Sequence, residues 1–338
     1  MVLLGLSVRA LNVLIRICKS EILNSTLSMA SASVMVKSTG QQWSQVNKVL
    51  KEDPTLIKKD LAIIKDWLKK QPHLPNEWED TCLISFLRGC DFSIERCKRK
   101  LDMYFTVRAA CPEFFTNRDI TRPELMELMN KGHGPTMPGL TPDGRRVSIC
   151  RAKDFNLDTH QLNELFKITL MIGDLRLLEP LEGVTGEVYI LDASIVRPSH
   201  LGRLSLSAVK KFFICAQEAY PVKLKELHVI NTSALIDTAY GIVKPFLKEK
   251  MKKRIYFHKD FTGLHKFIPK ELLPTEFDGT AGSLDDIHKV WVEKLKSYTG
   301  WFKKQESIKA NESLRPGKPK NYYELFGMEG SFRQLAID

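Results

Sequence analysis

The sequence predicts an α/β protein, a small all-helical lead-in followed by a layered α/β domain. Three observations predict it. Apolar residues recur at helical spacing through residues 41–111. Between residues 147 and 258, short apolar runs alternate with long amphipathic segments. The chain of 338 residues is 43% apolar, which is enough for a sizeable core.

The elements follow in order. Leu61, Ile64, Trp67 and Leu68 mark a helix over 60–69 that ends at the turn Gln71-Pro72-His73-Leu74-Pro75. Asn76 is placed to cap a second helix, whose apolar face holds Leu83, Ile84, Phe86 and Leu87. Ser93 and Arg96 open a third that runs to Ala110. After the tight turn Thr141-Pro142-Asp143-Gly144, the run Val147-Ser148-Ile149-Cys150 alternates like a strand. A long helix over 158–178 ends at Pro180, and 187–192 reads as a buried strand. A helix over 205–220, an extended run over 222–230, a helix over 235–251 broken at Pro245 and an extended run over 254–258 come next. Strands separated by long helices imply parallel pairing. One more helix covers 284–304. The expected units are a leader (1–40), a helical domain (41–115), the α/β domain (120–282) and a C-terminal helix and tail (283–338), with a linker at 315–320.

In the leader, Leu3, Leu6, Ala10, Val13, Leu14 and Ile17 share one helical face, and no acid precedes Glu21. Two readings stay open: a basic amphipathic transit or membrane-surface helix, or a stretch upstream of a start at Met29 or Met35. Seven scattered cysteines form no C-x-x-C pair, as expected for reduced thiols in a cytoplasmic protein.

Net charge is +11 and calls for an acidic partner. It is concentrated: over residues 207–254 ten basic residues meet four acids, an excess of six. In Val222-Lys223-Leu224-Lys225 apolar and basic residues alternate, so a strand would present the lysines on one face and the apolar pair on the other. Lys250, Lys252 and Arg254 repeat the two-residue spacing. Together the two clusters suit a group carrying several phosphates; from spacing alone a solvated lysine face is the stronger reading. Next to them, Leu235, Ala239, Ile242 and Phe246 form one apolar stripe and Ile236, Val243 and Leu247 a second. Such a helix is buried on both sides or meets a ligand on one of them, and Pro245 gives it a hinge.

Catalytic signatures are missing. There is no G-x-S-x-G, H-E-x-x-H or G-x-x-x-x-G-K-[ST], and the histidines have no metal spacing. His228 reads as a core histidine and Gly132-His133-Gly134 as a loop. The expectation is a protein without catalysis, cofactor or metal. No nucleic-acid module accounts for the charge.

Five motifs occur in order: Phe86-Leu87-Arg88-Gly89-Cys90, Asp143-Gly144-Arg145-Arg146-Val147, His228-Val229-Ile230-Asn231, Val243-Lys244-Pro245-Phe246-Leu247-Lys248-Glu249-Lys250 and Leu273-Pro274-Thr275-Glu276-Phe277-Asp278-Gly279. Through them the chain resembles the CRAL-TRIO family, with the flavour of its tocopherol-carrying branch. The resemblance implies a helical lead-in, an α/β lipid-binding bowl and a mobile gate helix over about 231–254, which includes Leu235, Ile242, Phe246 and Leu247. It implies a carrier of one hydrophobic ligand, tocopherol-, retinoid- or phospholipid-like, that visits membranes bearing phosphatidylinositol bisphosphate as a monomer. The alternative is a non-transporting scaffold for a small GTPase or other protein. Residues matching the family's phosphoinositide site are Lys223, Lys225, Lys250 and Arg254, with Lys252 beside them; those matching its pocket are Phe212, Cys215, Ala216, Tyr220, Leu227 and Val243, with Val222 and Leu224 turned toward the lipid. One basic position of that site is Cys90 here, with Arg88 two residues away.

Overall fold

The computed structural model describes residues 34–36, 38–50, 52–153, 159–179, 184–202, 204–320 and 322–327. The leader helix expected at 3–17 lies outside the described residues. Six helices come first: α1 (Gly40–Leu50), α2 (Pro54–Lys69), α3 (Asp80–Gly89), α4 (Ile94–Ala110), α5 (Pro112–Phe115) and α6 (Pro123–Lys131). Asp53 starts α2 by accepting from the Thr55 amide, with Pro54 preset for the first turn. Asn76 caps nothing, because α3 begins at Asp80 after Glu79.

The sheet contains β1 (Gly132–His133), β2 (Thr136–Leu140), β3 (Arg145–Ala152), β4 (Gly186–Asp192), β5 (Leu224–Ile230) and β6 (Ile255–Phe257). β3, β4, β5 and β6 are parallel neighbours, while β1 and β2 run antiparallel to β3. Each parallel step is bridged by helix, as parallel geometry requires. α7 (Thr159–Leu178) links β3 to β4, and α8 (Pro198–Gly202) with α9 (Leu206–Ile214) links β4 to β5. α10 (Leu235–Val243) and α11 (Glu249–Lys252) link β5 to β6. The expected helix over 284–304 is two, α12 (Leu284–Ser297) and α13 (Thr299–Gln305), interrupted at Tyr298. A last short helix, α14 (Tyr322–Phe326), ends the described chain.

Strand alternation divides the core. Val147, Ile149, Val188, Ile190 and Ile230 share one face and pack with Trp291 of α12 and with Leu264 and Phe277. A second core forms inside the helical lead-in, from Leu83, Phe86, Leu101 and Phe105, and takes in Leu170 and Leu177 of α7. Phe326, in the C-terminal tail, is fully buried in it. The expected linker is pinned: Arg315 and Lys320 both pair with Asp102 of α4, at 2.8 and 2.5 Å. Met35 and Val36 also correct the expected leader. Met35 is buried in the sheet core, and the Val36 amide donates to the Pro138 carbonyl at 2.9 Å.

Lead-in and sheet meet at a glycine. A Cβ on Gly89 would lie 2.1 Å from the Pro221 carbonyl oxygen and 2.4 Å from the Pro221 Cβ, both backbone-fixed neighbours. Gly89 thereby lets α3 rest on the chain just before β5. Gly89→Ala is expected to separate these surfaces at a cost of about 1–3 kcal/mol, the usual range for overpacking. The check is a lower urea midpoint at unchanged m value.

Candidate functional site

The opposite face of the sheet is not packed by core. Ser148 and Cys150 of β3, Tyr189 and Leu191 of β4 and Leu227 of β5 floor a cavity of about 1270 Å³. α7 walls it with Leu162, Leu165, Phe166, Thr169 and Ile172, and α9 with Phe212 and Phe213. Phe166 and Phe212 stack with centroids 4.2 Å apart, which sets the Phe212 ring against the wall. After α9 the chain makes one π-helical turn, Cys215–Ala219, of the kind often found beside functional sites. Ala216 and Tyr220 from this stretch line the cavity. The open carbonyls at the end of the turn are met by Lys100 of α4, whose Nζ donates to those of Gln217, Glu218 and Tyr220 at 3.1, 3.3 and 2.7 Å. Burial pulls the Lys100 ammonium below the ordinary lysine value, against Cys90 and Glu218, which raise it.

At its other end the same cavity turns basic. Val222, Lys223, Leu224 and Lys225 all line it, as do Lys250 and Arg254. Regular strand begins only at Leu224 and is interrupted within two residues. Glu187 pairs with Leu224 and Val188 with Glu226, so Lys225 is the extra residue of a bulge. Gly186 makes room for it, since a Cβ there would lie 2.6 Å from the Lys225 Cγ. Apolar and basic residues of this stretch open onto one cavity.

The cations crowd one another. Burial is the largest influence lowering the Lys225 amine, and the neighbouring Arg145, Arg254 and Lys223 lower it further. Arg254 donates to the Leu224 carbonyl, fixing the head of β6 beside the head of β5. Lys223 pairs with Asp91 at 2.5 Å, and Lys250 is exposed. The i, i+2 reading of Lys250 and Lys252 needs correcting. They sit on α11, where two residues are about 200° apart, so only Lys250 reaches the cavity. Lys252 pairs with Glu249 at 2.5 Å and is not in the lining.

Two expected pocket positions are also outside the lining. Cys215 is a free thiol fully buried in the core of the lead-in, hydrogen-bonded to Cys111. Val243 packs with Phe246 against Ala208 and Val209 of α9. The expected gate residues Leu235, Ile242, Phe246 and Leu247 likewise form no part of the cavity surface, and no residue of α10 is buried. The segment is latched from the π turn that follows α9. The Gln217 side chain donates to the Phe246 carbonyl at 2.9 Å and accepts from the Lys248 amide at 3.0 Å, on either side of Leu247. Pro245 lies in a 3₁₀ turn, Lys244–Phe246, directly before the latch.

The sequence reading missed Arg96, Arg99 and Lys100 of α4, which bring the lead-in's own charge to the cavity. Their i, i+3 and i+4 spacing was the available signal. Arg88 does not stand in for the arginine replaced by Cys90, because its Nε is bonded to Glu52 at 3.0 Å. Cys90 is buried against Cys97. His228 is fully buried, bonded to His258 at 3.0 Å and Glu226 at 3.2 Å, as a core histidine should be. Among the described residues no group of three or more His, Cys, Asp or Glu side chains could hold a metal, and no helix is long and apolar enough to cross a membrane.

Fold and site together define a helical lead-in set on an α/β domain with a large, mostly apolar cavity and a basic mouth. Residues 53–125 match the Pinta-like UBA domain, and residues 130–279 match the CRAL/TRIO domain. The chain therefore contains a CRAL/TRIO domain over residues 130–279. It is 29% identical over 248 residues to a mouse protein named alpha-tocopherol transfer protein-like, covering 72% of this chain and 71% of that one. It is 26% identical over 232 residues to rat Clavesin-2, covering 68% and 71%. Among solved structures it is similar to Sfh5, with a TM-score of 0.40 and 16% identity over 75% of this chain and 92% of that one.

Proposed function

We propose that this protein carries one hydrophobic molecule in the cavity and exchanges it at membranes bearing phosphatidylinositol bisphosphate, without catalysis. The observation that carries the reading is the continuity of the cavity. One surface runs from Phe166, Leu191 and Leu227 to Lys223, Lys225, Lys250 and Arg254. Its volume of about 1270 Å³ exceeds the roughly 300–1,000 Å³ usual for small-molecule pockets, so a lipid is the fitting class of ligand. The name of one relative, alpha-tocopherol transfer protein-like, agrees with a carrier.

In this reading residues 231–254 are the gate. Its apolar helix has no buried residue, its hinge is at Pro245, and its far end delivers Lys250 and Arg254 to the mouth. A headgroup that prefers the open form would favour release at the membrane that carries it. The test is mass spectrometry of material extracted from the purified protein. One apolar lipid at near-stoichiometric amount is expected. Protein that comes out empty, and stays empty after incubation with a lipid extract, would remove the carrier reading.

A further inference from the structure

Asp91 lies at the basic mouth, immediately after α3, and lines the cavity. Its carboxylate reaches Lys223 at 2.5 Å and Arg96 at 3.3 Å, so it joins the α/β domain to the lead-in across the mouth. The backbone there is unusual. Asp91 and Phe92 have φ of 53° and 54°, a left-handed region that residues with a Cβ disfavour. Burial pushes the Asp91 carboxyl up, but Lys223, Arg96 and Lys225 outweigh it and hold the group below its usual value, so it is ionised at neutral pH. The side chain is 58% exposed. An exposed pair of this kind adds little to stability. Its larger effect is on the charge that the mouth presents.

We propose that Asp91 is a built-in competitor for the anion site: its carboxylate occupies Lys223 and Arg96 in place of a phosphate until a more highly charged headgroup displaces it. The proposal rests on the reading of the mouth as a phosphoinositide site. It adds a specificity device to that reading. A ligand with a single phosphodiester charge gains little by exchanging with a carboxylate already in place. A headgroup with further phosphates, each carrying about −1.5 to −2 charges, can displace it. Asp91 thus sets a charge threshold for binding, and the same residue keeps Lys223 neutralised while the mouth is empty.

The experiment measures binding of the full chain to phosphatidylcholine vesicles containing phosphatidylinositol bisphosphate, with charge-matched phosphatidylserine vesicles in parallel. Asp91→Asn and Asp91→Gly both remove the charge, and both residues tolerate a positive φ. Each is expected to keep the wild-type melting temperature. Each should tighten binding to bisphosphate vesicles about fivefold, the weight of one basic residue near an anionic membrane. In a Lys223→Ala background the gain should largely disappear. Soluble inositol trisphosphate, followed by calorimetry, should show the same gain if the headgroup alone is read; a gain confined to vesicles assigns the site to the lipid in its membrane. A merely structural Asp91 would instead lower the melting temperature and weaken binding in both variants. Unchanged or weaker binding, or a gain that survives intact without Lys223, would overturn the proposal. If wild-type protein shows no preference for bisphosphate over phosphatidylserine vesicles, the anion-site reading itself falls.

Discussion

Replacing Lys223, Lys225, Lys250 and Arg254 together by alanine is expected to weaken binding to phosphatidylinositol bisphosphate vesicles by about 10²–10³-fold, at roughly 1 kcal/mol per basic residue near an anionic surface. The lower end allows for Lys223, which Asp91 already neutralises in part. The four residues come from β5 and its approach, from α11 and from the head of β6, yet they open on one cavity. They crowd, and burial and mutual repulsion already pull the Lys225 amine down. An anion relieves that crowding, so the loss on substitution should exceed what four scattered surface lysines would give. Vesicle cosedimentation at fixed salt measures it. Raised salt should weaken the wild type toward the variant. Near-UV circular dichroism checks the fold, because Arg254→Ala also removes a donor to the Leu224 carbonyl. Unchanged binding in a folded variant would show that the basic mouth does not read the membrane.

The legible part of this molecule is what short-range periodicity controls. β4, α7 and the interruption at Pro245 follow from local patterns of burial and from the chemistry of proline. The illegible part depends on single residues that break a period or on contacts distant in sequence. Lys225 reads as one more alternating position, and only the register against β4 reveals the bulge. Lys250 and Lys252 read as a pair at two-residue spacing, but on a helix that spacing is about 200° and points them to different sides. Residues 205–220 read as one helix, and the π turn that positions Ala216 and Gln217 leaves no mark in the hydrophobic pattern. Arg96, Arg99 and Lys100 look like the solvated face of a helix until α4 is seen beside the mouth. The family resemblance supplied the set Lys223, Lys225, Lys250 and Arg254 that the structure brings together. It also supplied Cys215 and Val243, which this chain packs into other cores.

Asp174 was also unreadable, and it carries the second large effect. It lies on α7, fully buried. It accepts from Tyr104 Oη at 2.9 Å, Tyr220 Oη at 2.6 Å, Arg108 at 3.0 Å and Arg118 at 2.6 Å. Tyr104 and Arg108 belong to α4, Arg118 follows α5, and Tyr220 lines the cavity. One carboxylate thus holds the lead-in, α7 and the cavity wall in register. Asp174→Asn keeps the shape but leaves two buried guanidiniums without a counter-charge. Breaking a buried pair in this way costs about 3–5 kcal/mol, to be read as a fall in unfolding free energy by urea titration. The pH dependence has a definite sign. Burial pushes the carboxyl up, but Arg118 and Arg108 hold it below its ordinary 3.8. A depressed folded pKa stabilises above the unfolded value and loses that stabilisation as pH falls through the folded one. The wild type should therefore keep its full advantage over Asp174→Asn at neutral pH and lose it progressively below about pH 4. A gap that stayed constant down to strongly acidic pH would mean that the charge of Asp174 is not what stabilises the junction, and that its hydrogen bonds to Tyr104 and Tyr220 are.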